Sequence, residues 1–506
     1  MSETRYKLHP ISAFLNFIKG LKELILPFIV IFGVNFFRDG GITGMFTQGW
    51  QGLIPLMIGA VALVFLLISG LIKWQRFVYW FEEGELRVEY GLFVKKKRYI
   101  PFERIQSLNY TEGIFHRPLG LVKVKVETAG TGKLGKAEVE LTAISREDAD
   151  RIEKKMEHAK HHAHEALSEN EQVVLAEPAT ESAKKIKMIY RMTMKELVIL
   201  ATTSGGIGVV LSAVAVFLSQ FGEIIPYSAI YEEVMLFLRF GALIVALTIF
   251  FGLVIAWIIS VVLAIFANYQ FTITTDEDHI YISRGLLEKK KVSVPFKRIQ
   301  GIKVTQNPLR ELFGYATVTV ESAGGSVGDK DEKIRLLPLA KKTKMLPVLK
   351  ELFPDMDWEP VLTKAPKRSI HFFYRLDFIW MLPVTGAIGY FFYPYGLLAL
   401  LIVPVTILLA IWQYRTVGYA LSEKQVTMEF RAFSKNTFYM MKKRVQAIEV
   451  TESYFQRRKK LASIQATIKS GMLGATARIN HMDREDASRI LAWFEPSNRK
   501  LERKKA

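Results

Sequence analysis

The chain has no cysteine in 506 residues. That absence excludes disulfide staples, thiolate nucleophiles and cysteine-ligated zinc. No HExxH or GxSxG pattern appears, and no pair of intramembrane aspartates. Acidic charge is scarce beside basic: 49 Asp and Glu face 68 Lys and Arg, a net +19. Such an excess implies anionic surroundings, either nucleic acid or a lipid surface. Half the residues are apolar and mean hydropathy is +0.17, yet 23% are charged. Both can hold only if the two classes are segregated along the chain, which favours lipid. The length exceeds one ordinary domain.

Charge is missing altogether from long runs. Trp50–Ile72, Leu197–Gly222, the stretch from Phe240 through Tyr269, and Phe378–Tyr414 carry none. At 1.5 Å per residue the last is about 55 Å of helix, nearly two bilayer cores of ~30 Å. Tyr393-Pro394-Tyr395-Gly396 offers a turn at its middle. With the shorter Leu24–Phe37, six spans are expected in three hairpins: 24–37 with 50–72, 197–221 with 240–266, and 378–392 with 396–414. The loop 221–234 holds Glu223, Glu232 and Glu233 and no Lys or Arg. The opposite flanks hold Lys184, Lys185, Lys187, Arg191, Lys364, Lys367, Arg368 and Arg415. By the positive-inside rule, both termini and all polar segments are expected in the cytoplasm of a multi-pass cell-membrane protein.

A repeat runs through the polar segments. PFERIQ (101–106), PFKRIQ (295–300) and the blurred MKKRVQ (441–446) each follow a basic hairpin and enter a strand. Further on come VKVKVETAG (122–130), VTVESAGG (318–325) and IQATIKSG (464–471). Alternation of Val, Ile, Tyr and Phe with polar residues predicts half-buried strands. Ser145 and Asp483 are N-caps for closing helices. In the middle unit Ala340–Leu346 and Pro347 make a poorer helix start. The expected plan is hairpins at 1–78, 186–268 and 356–415, β domains at 79–167, 269–355 and 416–497, a linker at 168–185 and a basic tail at 498–506.

This order of strand, RIQ, strand and AGG after a membrane hairpin resembles the bacterial pleckstrin-homology-like (PH-like) domains of the YdbS/YdbT type. Pro101–Gln106 with Thr128-Ala129-Gly130, and Pro295–Gln300 with Ser322-Ala323-Gly324-Gly325, carry the likeness. The third unit departs, with Met441 for proline, Val445 for isoleucine and Ser470-Gly471 for AGG. The three-copy, six-span plan resembles the larger, YdbT-like kind. The resemblance implies an α plus β membrane protein: three helical hairpins alternating with PH-like barrels or sandwiches, each capped by a C-terminal helix. It implies no catalysis, no cofactor, a smaller membrane protein of the same domain family as partner, and a link to tolerance of membrane-active antimicrobial peptides.

Other chemistry is weakly signalled. Gly130–Ala137 nearly matches a phosphate loop, but Ala137 stands where Ser or Thr would meet magnesium, and strands flank it. Of His158, His161, His162 and His164, several would share a helical face at i, i+3 and i+4, but they stand amid lysines and lead into the linker. Asp276-Glu277-Asp278 reads as a strand turn. Arg239 and Asp377 sit at span edges, where snorkelling or interfacial pairing is cheapest. The candidate binding residues are the basic hairpins and the repeated arginine: Lys95, Lys96, Lys97, Arg98 and Arg104; Lys289, Lys290, Lys291 and Arg298; Lys442, Lys443 and Arg444. Arg457-Arg458-Lys459-Lys460 adds a further basic run. Anionic lipid or a partner protein is the expected ligand, not nucleic acid, because aromatic interleaving is weak. The expected function is a non-enzymatic membrane scaffold. A transporter or exporter component for a peptide or lipid is the alternative, mildly favoured by internal repetition.

Overall fold

A computed structural model describes residues 5–28, 50–128, 138–168, 186–204, 212, 242–323, 333–393, 395–471 and 474–495. Most of the expected spans 24–37 and 197–221, the loop 221–234, Arg239 and the glycine loop 130–137 lie outside these residues. The side chains of Asp377 and of His161, His162 and His164 do as well.

Each repeat contributes seven strands among the described residues: β1 (Tyr6–Lys7), β2 (Val78–Glu82), β3 (Glu85–Tyr90), β4 (Lys96–Pro101), β5 (Ile105–Glu112), β6 (Leu121–Thr128) and β7 (Val139–Ser145) in the first. The second has β8 (Lys187–Arg191), β9 (Thr272–Thr275), β10 (His279–Arg284), β11 (Lys289–Pro295), β12 (Ile299–Gln306), β13 (Tyr315–Ser322) and β14 (Ile334–Lys341). The third has β15 (Thr363–Lys364), β16 (Gly418–Leu421), β17 (Gln425–Arg431), β18 (Lys435–Met441), β19 (Val445–Thr451), β20 (Leu461–Ile468) and β21 (Ala475–Asp483). The first strand of every repeat precedes the apolar helices. Boundaries drawn at 79, 269 and 416 therefore cut each unit one strand short. The helical hairpin is an insertion between strands one and two.

The sheets do not respect the repeats. Their orders are β1-β2-β3-β4, then β7-β6-β5-β11-β10-β9-β8, then β14-β13-β12-β18-β17-β16-β15, then β19-β20-β21. The last three strands of one repeat thus continue, antiparallel, into the first four of the next. Within a repeat the two half-sheets share one core. Tyr79, Leu86 and Val88 meet Val124, Val126 and Leu141 in the first, and Ile152 of the helix Arg146–Ser168 closes it. Ile273, Ile280, Val318 and Leu337 fill the second, with Leu349 of the helix Lys342–Leu352. Met428, Met440, Ile464 and Ile479 fill the third, with Ile490 of the helix Arg484–Phe494. The Ser145 hydroxyl accepts from the Asp148 N–H at 3.1 Å, and Asp483 accepts from Glu485 N–H at 3.4 Å, as caps should. The middle helix tolerates Pro347 inside it.

Among the described residues three helical segments are apolar and long enough to cross a bilayer: Met57–Gln75, Phe250–Asn268 and Gly396–Thr416. Many of their apolar side chains face outward, as with Val61 and Phe250, the pattern a lipid surrounding would favour. The first partner helix starts at Ile11, not at Leu24, and runs to Phe28. It includes Lys19, Lys22 and Glu23 and packs closely on Trp50–Gln75. A Cβ on Gly70 would come within 2.8 Å of the Ala13 carbonyl, so glycine sets that approach. The helix Ile370–Phe391 ends just before, and Gly396–Thr416 begins at, the place where a turn was expected.

Candidate functional site

The repeated arginine marks the seams. From the strand start of the second repeat, Arg298 reaches back across β5 into the first. Its Nη1 donates to Glu127 Oε2 and to Ser107 Oγ, both at 3.3 Å, and its Nε donates to the Ala323 carbonyl at 3.1 Å. Burial pushes the Glu127 carboxyl above its ordinary range, against the pull of Ser107 and Arg298, and pushes Arg298 down. Arg444 repeats the gesture more weakly, donating to the Lys297 carbonyl at 3.0 Å. Ser470 Oγ donates to Glu321 Oε2 at 2.5 Å across the same seam, and Arg431 donates to Glu311 at 2.5 Å. Arg104, in the first repeat, is exposed.

The basic hairpins fall into different surroundings. Lys95, just before β4, and Lys96, Lys97 and Arg98 on it are exposed, although Lys95 and Lys97 share Glu89 at 2.6 and 3.1 Å. Lys289, Lys290 and Lys291 do not project together from a free hairpin. They pair with Glu112, Thr111 and Tyr110 of β5 and are half-buried. The Lys291 ammonium lies over the Tyr281 ring at 5.0 Å and the Tyr110 ring at 5.5 Å. Lys442 lies over Trp493 at 5.3 Å, and Lys443 is exposed. Asp276 caps its own turn, accepting from the N–H groups of Asp278 and His279 at 2.9 and 2.6 Å.

A cationic cleft opens in the second repeat, where the helix Ala242–Asn268 enters the sheet. Arg191, Arg284 and Lys289 line a cavity of about 140 Å³ with Tyr269, Gln270, Thr272, Ser283 and Gly285. A second cavity of about 350 Å³ shares Arg191, Tyr269 and Gln270 and extends to Met194 and Leu197. The turn carrying Gly285 is tied to the helix: Gly285 N–H donates to the Tyr269 carbonyl at 2.9 Å, and Leu286 N–H to the Phe266 carbonyl at 2.8 Å. Gly285 has φ +112°, and a Cβ there would lie 2.0 Å from the Glu288 carbonyl, so only glycine makes this turn.

The other repeats neutralise the matching position. Lys95 pairs with Glu89 at 2.6 Å, and Lys435 with Glu429 at 2.9 Å. Lys364, the counterpart of Arg191, pairs with Glu429 at 3.0 Å. The glutamate position of the second repeat holds Ser283. Among the described residues Lys289 has no carboxylate at ion-pair distance.

The sequence profile described as "Bacterial PH domain" matches residues 27–160, 210–352 and 378–497. The chain belongs to this bacterial PH domain family. It is also 34% identical over 500 residues to the UPF0699 transmembrane protein YdbT of Bacillus subtilis (strain 168), covering 98% of each chain. Each match covers strands two to seven of one repeat and the apolar helix that leads into them, and begins after that repeat's first strand. The resemblance drawn from the RIQ and AGG elements is thereby established, as is a membrane protein of three repeats. Arg191 and Arg284 were not singled out as ligand candidates from the sequence. The signal available was the exchange of Glu89 and Glu429 for Ser283 at one aligned position.

Proposed function

We propose that the chain is a non-enzymatic membrane scaffold whose second repeat holds an anionic lipid headgroup in the cleft of Arg191, Arg284 and Lys289. The observation carrying this reading is the convergence of three cations on one cavity at the foot of an apolar helix, where Ser283 replaces the neutralising glutamate. That the apolar helix Ala242–Asn268 ends at the cleft supports a position at the headgroup level of the bilayer. The one-sided distribution of Lys and Arg supports a cytoplasmic position for the sheets and both termini. Cationic antimicrobial peptides seek the same anionic headgroups, so a protein that organises those lipids would alter tolerance to them.

Each basic group near an anionic surface contributes about 1 kcal/mol, so three together give roughly a hundredfold in affinity. The test uses the full chain in neutral detergent, titrated with short-chain phosphatidylglycerol, short-chain phosphatidylcholine and inorganic phosphate. Native mass spectrometry and thermal shift are the readouts. The parent should bind phosphatidylglycerol, more weakly in raised salt, and should ignore phosphatidylcholine. Arg191→Gln with Arg284→Gln and Lys289→Gln should lose about a hundredfold. Lys95→Gln with Lys96→Gln and Lys97→Gln should leave binding unchanged. Parental affinity in the cleft variant overturns the reading, and binding of phosphate alone reassigns the cleft to a soluble anion.

A further inference from the structure

We propose that the two open ends of the sheet array form one interface: the β4 edge of one chain pairs with the β19 edge of a second copy. The pairing uses the register that the chain already uses internally. This rests on the seams and not on lipid binding at the cleft.

The two internal seams are built alike. In the first, Lys289, Lys290 and Lys291 face Glu112, Thr111 and Tyr110. In the second, Lys435, Asn436 and Thr437 face Gln306, Thr305 and Val304. Aligned on the RIQ element, these are the same positions in the same register. A hairpin strand of one repeat meets the RIQ strand of the repeat before it. The array therefore ends with one strand of each kind left over. Among the described residues β4 pairs with β3 alone, and β19 with β20 alone. Exposure follows: Tyr99 on β4 is 53% exposed, whereas Tyr439 at the matching place on β18 is 8% exposed. Gln446, Ala447, Glu449 and Thr451 of β19 are exposed, while Gln300 and Gly301 of β12 are buried.

Carried over to the two ends, the register sets Lys95 opposite Glu452, Lys96 opposite Thr451, Lys97 opposite Val450, Arg98 opposite Glu449 and Tyr99 opposite Ile448. Arg98 with Glu449 gives an opposite-charge pair and Tyr99 with Ile448 an apolar pair, each favourable across neighbouring strands, whereas Lys95 and Glu452 would exchange their present partners Glu89 and Arg484 for each other. A run of Lys on an edge repels indiscriminate strand addition. Here the complementary edge carries Glu449 and Glu452, so the same charges that repel a like edge attract this one. A one-residue slip would turn each strand's buried face outward.

The occupant is a second copy because one chain carries both halves of the interface. In every repeat the apolar helix leads directly into the second strand: Gln75 before Val78, Asn268 before Thr272, Thr416 before Gly418. One repeat-to-repeat step keeps the membrane on the same side, so a copy added by that step stays in the same bilayer. Such a head-to-tail contact closes into a ring or continues as a row.

The absence of cysteine makes the test clean. Full-length chains bearing Lys96→Cys and Thr451→Cys, each with a different tag, are produced together in one membrane and oxidised. A disulfide-linked species carrying both tags is expected, and a ladder when one chain carries both substitutions. The comparison pair joins Lys96→Cys to Ser488→Cys, an exposed position on the helix Arg484–Phe494 and not on β19. Arg98→Glu should lower the register-pair yield about fivefold to tenfold, and Glu449→Arg in the other copy should restore it. All variants should keep the parental melting temperature, since the substituted side chains are exposed. Equal yields from the two cysteine pairs, or a loss that Glu449→Arg does not restore, overturn the proposal. So does trapping of the Lys96→Cys chain on another bacterial PH domain protein in place of the Thr451→Cys chain.

Discussion

Arg298 and Glu127 stand 171 residues apart and meet with Nη1 3.3 Å from Oε2, each side chain 11% exposed. They belong to different repeats, so the pair ties two units rather than one. The repeated RIQ arginine is accordingly a seam residue, at least where a preceding repeat offers it a partner. Removing one member of a buried ion pair leaves the other charge without compensation and costs about 3–5 kcal/mol. Arg298→Ala is expected to destabilise the chain by that amount. Adding Glu127→Gln should recover part of the loss, because the stranded carboxylate is then neutral. Thermal unfolding of the single and double variants in detergent checks both. An unchanged melting point in Arg298→Ala would remove the seam role.

Gly301 gives the second seam its close fit. A Cβ there would lie 2.7 Å from Ile468 Cδ1 and 3.1 Å from the Tyr439 carbonyl. Overpacking of this kind costs about 1–3 kcal/mol. Gly301→Val should therefore lower stability by that amount. Ala447→Val, at the same place on the open edge, should change the stability of dispersed chains by no more than about 0.5 kcal/mol. Denaturation of the two variants side by side distinguishes a seam from an ordinary core position.

Much of this fold is readable from local pattern. The RIQ strands, the caps Ser145 and Asp483, and the uncharged helices all declare themselves within ten to thirty residues. The first strand of each repeat does not. Tyr6–Lys7 and Thr363–Lys364 are two residues long and carry no alternation. The seams are equally hidden, because Lys289–Lys291 would read as a half-buried strand whether or not β5 lay beside it. Periodicity reports that a face is covered; it does not report by what. The cleft is legible only by comparing repeats, since Ser283 is unremarkable until set beside Glu89 and Glu429.

His481 makes the third repeat sensitive to mild acid. Its ring lies against Phe372 and Phe373 at 5.5 and 4.9 Å, and Nδ1 accepts from Gln456 Nε2 at 2.8 Å. Burial, helped by Arg478, pushes it down to about 4 from an ordinary 6.5. Between those values the unfolded chain binds the proton and the folded chain does not. Stability is thus complete above pH ~6.5 and is lost as pH falls toward ~4, by at most about 1.4 kcal/mol per pH unit. His481 has φ +59°, a conformation asparagine tolerates. Between pH 6.5 and 5 the parent should lose up to about 2 kcal/mol more than His481→Asn does. Equal losses would mean that other groups govern the acid response.

The place of β8 decides what a single repeat needs in order to fold. The segment 268–355 lacks it, and with it Tyr190 and Met192, both buried in the second core. Tyr190 also donates through its hydroxyl to the Leu339 carbonyl at 3.2 Å, so its loss leaves a buried acceptor unpaired. Truncating a large core side chain costs about 3–5 kcal/mol, and a whole strand is lost here, against a typical stability of 5–15 kcal/mol. The segment alone should be unfolded or aggregated, with no cooperative thermal transition. β8 and β9 are antiparallel neighbours, with Arg191 opposite Thr272 and Met192 N–H donating to the Phe271 carbonyl at 3.0 Å. Joining 186–192 to 271–355 through Asn-Gly would replace the membrane hairpin by a tight turn that suits such a pair. That fusion should melt cooperatively with a β-type circular dichroism spectrum. It should also self-associate at rising concentration, because β11 and β12 are then both open edges of complementary kind. A folded 268–355 segment would show that the repeat's core does not need its first strand, and a fusion that stays unfolded would show that Leu197, Leu200 and Trp358 of the same core are needed as well.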